Sequence, residues 1–277
     1  MTSGGAPFRN NEIITSTANA RVKLIRGLRA RREREHSGLA WVEGIRPTVE
    51  ALQLNATIDT LVVAPDLLTS DFARDAVDVA RVEGIDIMEV TNAVFRSLSD
   101  RDGPQGLGAI IRQQWLSLPD IRLAEGDRWV ALASVADPGN LGTILRTCDG
   151  SDAEGVILLD TSTDPYDPAA MRASMGAVFS RRLVRASFEA FAEWTRAEGA
   201  TVVGASDRAP ETYREADYGA RTVLLMGSER EGLTTEQQTL CDRMVSIPMR
   251  GRSDSLNLGI ATAILLYEVL DRREHEA

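Results

Sequence analysis

Apolar positions along the chain fall into two periods. Thr17 to Glu35 sets Val22, Leu24, Ile25 and Leu28 at the spacing of one helix. Leu39–Gly44 reads as a strand, and Arg46–Leu54 as a helix. An apolar strand at Ile58–Ala64 precedes a helix at Asp66–Glu83 and a strand at Ile85–Val90. A short helix at Asn92–Leu98 and a strand at Gly108–Ile111 complete this series. Alternation of such lengths predicts an α/β unit. Residues 114–127, with Pro119 and Gly126, read as a joint between domains. A second series begins with a strand at Trp129–Val135, a helix at Asn140–Gly150 and a strand at Gly155–Leu159. Further strands are expected at Leu183–Ala186, Thr201–Ala205, Thr222–Met226 and Met244–Ile247. Near-continuous apolar runs such as Val223-Leu224-Leu225-Met226 imply a parallel sheet covered on both faces. A last helix, Leu256–Leu270, is expected to bury a wide face of Leu258, Ala261, Ile264, Leu265 and Tyr267. The pattern thus predicts an α/β fold with domains at 1–113 and 128–277.

Composition narrows the chemistry. The 277 residues are 43% hydrophobic and 26% charged, as in an ordinary globular protein of about two domains. The two cysteines, Cys148 and Cys241, point to a reducing compartment and not to a disulfide scaffold. Met1-Thr2-Ser3-Gly4-Gly5 lacks a basic-then-apolar signal pattern, and the apolar run Ile260–Tyr267 is far short of the ~20 residues a membrane span needs. A cytoplasmic protein is expected, which empties the Asn55-Ala56-Thr57 glycosylation match of meaning. With His36 and His275 the only histidines, a Ser-His-Asp triad or a His-rich metal site is not expected. Lys23 is the only lysine and follows no glycine-rich loop, and no G-x-G-x-x-G occurs. P-loop enzymes and ordinary dinucleotide-binding dehydrogenases are thereby excluded.

Charge distribution matters more than the net −10. Residues 20–34 hold Arg21, Lys23, Arg26, Arg29, Arg31, Arg32 and Arg34 against the single acid Glu33. Such a stripe can neutralise phosphates even in an acidic protein, or simply be a solvated helix face.

Three polar stretches of the second series each follow a strand, at the sheet edge where ligands bind in open α/β folds. The first is Asp137-Pro138-Gly139-Asn140-Leu141-Gly142-Thr143-Ile144-Leu145-Arg146-Thr147, in which Asn140 can cap a helix and Gly142 permits close approach. The second is Met226-Gly227-Ser228-Glu229-Arg230-Glu231-Gly232-Leu233, and the third runs from Ile247-Pro248-Met249 to Ser255-Leu256-Asn257. Singly, each has a plain structural reading: a surface arginine, a strand-to-helix loop with Thr234 as N-cap, a helix cap. Their order and spacing say more.

Together they resemble the SpoU branch of the SPOUT methyltransferases, RNA ribose 2′-O-methyltransferases with a C-terminal trefoil knot. The Asn-x-Gly-x-Ile-x-Arg-Thr motif stands at Asn140–Thr147, Gly-x-Glu-x-x-Gly-Leu at Gly227–Leu233, and Ile-Pro-Met with Ser-Leu-Asn at 247–249 and 255–257. Asp164-Pro165-Tyr166 and Arg172–Gly176 are similar to the family pattern too. Residues 15–113, with Val42-Glu43-Gly44 and Pro104-Gln105-Gly106, resemble its substrate-binding domain.

The resemblance implies bound S-adenosylmethionine, no metal, and a homodimer whose site is completed across subunits. It places Met226, Gly227, Glu229, Ile247, Met249, Ser255 and Leu256 around the donor. Arg146 would act on the target hydroxyl, helped by Asn140, Glu229, Ser255 and Asn257. RNA would be gripped by Arg21, Lys23, Arg26, Arg29, Arg31, Arg32 and Arg172. Ribosomal RNA is the favoured substrate; tRNA, or a non-catalytic RNA-binding or ribosome-assembly role, is the alternative.

Overall fold

A computed structural model describes residues 13–54 and 56–276, so Met1–Gly5 and the Asn55 of the glycosylation match lie outside the described residues. The chain divides into two compact units between Gln113 and Gln114.

In the first unit the elements are α1 (Ala20–Gly27), α2 (Arg31–Ser37), β1 (Leu39–Glu43), α3 (Ile45–Gln53), β2 (Ile58–Val63), α4 (Asp71–Val82), β3 (Ile87–Glu89), α5 (Asn92–Leu98) and β4 (Leu107–Arg112). The sheet order is β1-β4-β2-β3, with β4 antiparallel to β1 and β2, and β2 parallel to β3. Val22, Ile25, Leu28, Trp41, Phe95 and Ile110 fill its core. The single helix expected over Thr17–Glu35 is two helices. Arg34, 1% exposed, turns its guanidinium back onto the Leu28 and Arg29 carbonyls at 2.9 and 2.8 Å. Those bonds satisfy carbonyls beyond the end of α1 that a continuous helix would have satisfied itself. Leu24, expected on the apolar face, is exposed.

In the second unit a short 3₁₀ turn (Leu118–Asp120) precedes β5 (Arg128–Ala133), α6 (Pro138–Gly150), β6 (Gly155–Leu159), α7 (Pro168–Ser174), α8 (Ala177–Ser180), β7 (Arg182–Ala186) and α9 (Phe188–Glu198). There follow β8 (Thr201–Ala205), β9 (Glu211–Thr212), β10 (Thr222–Met226), α10 (Thr235–Leu240), β11 (Arg243–Ser246) and α11 (Leu258–Glu276). The sheet order is β7-β6-β5-β10-β8-β11-β9, and every pairing is parallel. Along β5, Trp129, Ala131 and Ala133 join Phe191 and Trp194 of α9 in one core cluster. The opposite face is covered by α6 and α11. Burial on both faces explains the unbroken apolar strands.

Residues 114–127, read from the sequence as a joint, form part of this core: Leu118, Ile121 and Leu123 are buried in it, and Leu116 bridges to Val184 of β7. Helix α11 also departs from expectation. It buries Thr262, Leu265, Leu266 and Val269, whereas Tyr267 and Ile260 are each 49% exposed. No helix among the described residues is long and apolar enough to cross a membrane.

Candidate active site

The C-terminal ends of β5, β10, β8 and β11 open into one cleft of about 1220 Å³. From β5 the chain runs one way through β6 to the β7 edge, and on the other side lie β10 and β8. This is the reversal point at which parallel α/β sheets hold ligands.

At one end of the cleft the three motifs meet through side chains. Asp137, not Asn140, is the N-cap of α6: its Oδ1 accepts the Asn140 N–H at 2.9 Å. Pro138 then occupies the first helical turn, where its missing N–H costs nothing. The Asn140 side chain is thereby free to act as a hub. It donates to Glu229 Oε1 at 3.1 Å, and its Oδ1 accepts from Asn257 Nδ2 at 2.8 Å. Glu229 also accepts the Ala136 and Asp137 N–H groups at 3.3 and 3.2 Å. Asn257 Oδ1 in turn takes the Gly259 and Ile260 N–H groups at the start of α11. Burial alone would raise the Glu229 carboxyl, but hydrogen bonds from Asn140 and from the main chain of Glu229, Ala136 and Asp137 hold it below the usual carboxylate range.

Glycines set the close approaches around this hub. A Cβ on Gly142 would fall 2.5 Å from the Ala170 carbonyl oxygen and the Ala173 Cβ, so α6 and α7 pack backbone to backbone. At Gly227 a Cβ would collide with Gly232 and Leu233, because the turn folds back through paired Ser228–Gly232 hydrogen bonds. Beyond it, Thr234 and Gln237 form a capping box that starts α10.

Met226, Ile247, Met249 and Leu256 line the cleft, and Ser255 stands exposed on its wall. The charged lining comprises Asp137, Asp207, Glu229, Glu231 and Asp254 against Arg208 and Arg230. Apolar wall for an adenine ring and a net acidic lining for a sulfonium cation fit S-adenosylmethionine in chemical kind.

Arg146 is not among the residues lining the cleft. It lies six residues beyond Asn140, about 240° round the helix, on another face. There it is exposed and makes no hydrogen bond or ion pair among the described residues.

Most of the basic stripe is engaged within the first unit. Arg21 donates to Thr60 and pairs with Asp86, and Arg26 donates to the Thr17 carbonyl. Arg29 pairs with Asp100 at 2.8 Å, and Arg31 with Glu35 at 2.8 Å. Lys23 and Arg32, and Arg172 on α7, are exposed with no such partner among the described residues. Sequence reasoning missed Asp137, though Asp-Pro before an apolar helix is a start signal. It also missed Ser134, at φ 56° on the cleft wall, and Asp207 and Arg208, which no motif marked.

A doubly covered parallel sheet with a cleft at its reversal point that suits an adenosyl sulfonium, and three polar motifs knit together beside it, fits an S-adenosylmethionine-dependent methyltransferase. Residues 127–267 match the SpoU rRNA Methylase family, and residues 19–109 the MRM3-like substrate binding domain. The AdoMet-bound rRNA methyltransferase from Sinorhizobium meliloti is 39% identical and superposes with a TM-score of 0.86, covering 95% of this chain and 98% of that one. The 23S rRNA (uridine(2479)-2′-O)-methyltransferase of Streptomyces viridochromogenes is 30% identical, over 93% of this chain and 92% of its own. The 23S rRNA (guanosine(2553)-2′-O)-methyltransferase RlmP of Bacillus subtilis (strain 168) is 27% identical, over 92% and 98%. The chain belongs to the SpoU rRNA methylase family and is an S-adenosylmethionine-dependent RNA 2′-O-ribose methyltransferase.

Proposed function

We propose that this enzyme methylates a ribose 2′-hydroxyl of ribosomal RNA, as a cytoplasmic homodimer, with the Asn140–Glu229–Asn257 hub as the floor of the transfer site. The observation that carries this reading is the hub itself, which draws one residue from each motif to one end of the donor cleft. Two relatives that match nearly the whole chain are named for 23S rRNA, which favours ribosomal RNA over tRNA.

Bound S-adenosylmethionine supplies an electrophilic methyl group. In the transfer the ribose oxygen would form the new O–CH₃ bond as the methyl's bond to sulfur breaks, leaving S-adenosylhomocysteine as the neutral thioether, with the hydroxyl proton released to water. Asn140 is held from both sides, so its amide is a fixed reference for the incoming ribose. The Ser255 hydroxyl, exposed on the same wall, can donate to or accept from the nucleotide. Glu229 is a positioning residue, since hydrogen bonds from Asn140, Ala136 and Asp137 already engage its carboxylate. Holding hydroxyl and methyl in line supplies much of the acceleration.

Arg146 is a positioning cation for the target nucleotide, because a guanidinium keeps its proton in proteins and makes a poor base. Exposed Ile260 and Tyr267 of α11, with Tyr267 donating to the Gly150 carbonyl of α6, give the face beside Arg146 an apolar character. Pairing of two chains across that face would place each Arg146 at the interface, where it could reach the other chain's nucleotide. Of the cations expected to grip RNA, Lys23, Arg32 and Arg172 are the most available to its phosphates.

Incubating the enzyme with methyl-labelled donor and separate rRNA and tRNA pools tests the substrate. Label entering rRNA alone is expected; label confined to tRNA would contradict the choice of rRNA.

A further inference from the structure

The motifs account for the ends of β5, β10 and β11, but β8 also reaches the cleft. In the order β5-β10-β8-β11 it lies between the strand that leads to Gly227 and the strand that leads to Ile247. Ile247 belongs to the apolar wall that suits an adenine ring, and Gly227 adjoins Met226 of the same wall. The loop after β8 therefore lies at the strand ends between the two sides of that wall, with β10 between it and the strand that leads to Asn140.

That loop opens with a tight turn. Ser206 N–H is anchored on the Val245 carbonyl at 3.0 Å, the Ser206 Oγ accepts the Arg208 N–H at 3.2 Å, and Ala209 N–H closes back on the Ser206 carbonyl at 3.2 Å. The turn sets Asp207 on the cleft wall with a single long contact, from Ser206 Oγ at 3.4 Å. An ionised carboxylate has about four acceptor sites, so Asp207 keeps most of its capacity for a ligand. The other carboxylates of the lining are differently placed. Asp137 caps α6, Glu229 is engaged by the hub, Glu231 belongs to the 228–232 turn, and Asp254 adjoins Ser255. A ribose cis-diol offers two O–H donors side by side, and a carboxylate at a sheet edge is a common partner for such hydroxyls.

We propose that Asp207 binds the ribose hydroxyls of the methyl donor, which makes the Ser206–Arg208 turn the specificity element for the donor's nucleoside end. This rests on the functional reading above and adds a residue that no motif carries. The test is calorimetric binding to the full chain of S-adenosylhomocysteine, 5′-methylthioadenosine and 2′-deoxy-5′-methylthioadenosine. Asp207→Asn keeps the shape of an exposed side chain, and an unchanged unfolding midpoint will show that the fold is intact.

The variant is expected to lose roughly tenfold in affinity for both diol-bearing ligands, the scale of a hydrogen bond to a charged group. Wild type is expected to prefer 5′-methylthioadenosine over its 2′-deoxy counterpart, and Asp207→Asn to erase that preference. Unchanged affinities, a preserved preference, or a loss for S-adenosylhomocysteine alone would overturn the assignment and leave the enzyme's function standing. Failure of wild type to bind S-adenosylhomocysteine would overturn the functional reading and this inference with it.

Discussion

Glu229 shows how one side chain can be bound by its neighbours more than by a ligand. Its carboxylate accepts from Asn140, Ala136 and Asp137, and these bonds outweigh the effect of burial in setting its titration. Because the folded-state value is lowered, the stabilisation is fully present above the unfolded value of about 4.3 and is lost as pH falls through the lower folded value. Glu229→Gln should therefore flatten the loss of stability of the wild type between roughly pH 5 and 3. At neutral pH the same variant should cost about 1 kcal/mol, limited by solvent screening at an exposed site. Methyl transfer should fall roughly tenfold, because an uncharged amide with one acceptor oxygen holds Asn140 and the Ala136 and Asp137 N–H groups less firmly. Thermal unfolding across pH, with initial rates, checks all three. Parallel acid limbs in the two proteins would show that the carboxylate carries none of this stability. At the two thiols, Cys148 and Cys241, burial pushes the pKa up to about 12, consistent with packed residues and not with redox chemistry.

At the scale of elements, the basic N-terminal helices separate into structural and available cations. Arg34 holds the junction between α1 and α2, whereas Lys23 and Arg32 reach solvent without partners among the described residues. Lys23→Glu with Arg32→Glu should weaken RNA binding and reduce the log–log salt slope by about two, with stability unchanged. Arg34→Ala should instead lower stability by about 1–3 kcal/mol, because it strips buried hydrogen bonds, and leave the salt slope alone. Binding titrations at several salt concentrations, with unfolding curves, separate these outcomes.

The same helices show what the sequence could and could not reveal. Strands such as Thr222–Met226 and Gly155–Leu159 were legible because burial on both faces leaves an unbroken apolar run. The break after Gly27 was not legible, since it depends on a side chain seven residues downstream folding back onto carbonyls. Nor were α7 and α9, where short length or buried aromatics such as Phe191 and Trp194 blur the helical period, whereas the start of α10 was legible in Thr234, its N-cap. At the site, the motifs that carry the family resemblance named Asn140, Glu229, Ser255 and Asn257, which all line one cleft. They could not find Asp207, whose relevance comes only from the insertion of β8 between β10 and β11.

At the scale of the whole molecule, Asn140 and Arg146 lie on one helix but face different surroundings, which is the arrangement expected if two copies share a site. Sedimentation should give a dimer. Asn140→Ala and Arg146→Ala, each inactive alone, should regain up to about a quarter of wild-type activity when mixed, because half of the subunits pair unlike and each such pair holds one intact site. Mixtures that stay inactive would place Arg146 in the cleft of its own chain.

The cleft at the strand ends is held to transfer methyl to a ribose oxygen, and the most direct test locates that methyl. Ribosomal RNA is reacted with labelled S-adenosylmethionine and digested to nucleosides. Label is predicted in a 2′-O-methylnucleoside, and in an alkali-resistant dinucleotide when the same RNA is instead hydrolysed with base. Asn140→Ala is predicted to abolish the label while the variant still binds S-adenosylhomocysteine. Label on a base, or undiminished label from Asn140→Ala, would contradict both the assigned chemistry and the assigned site.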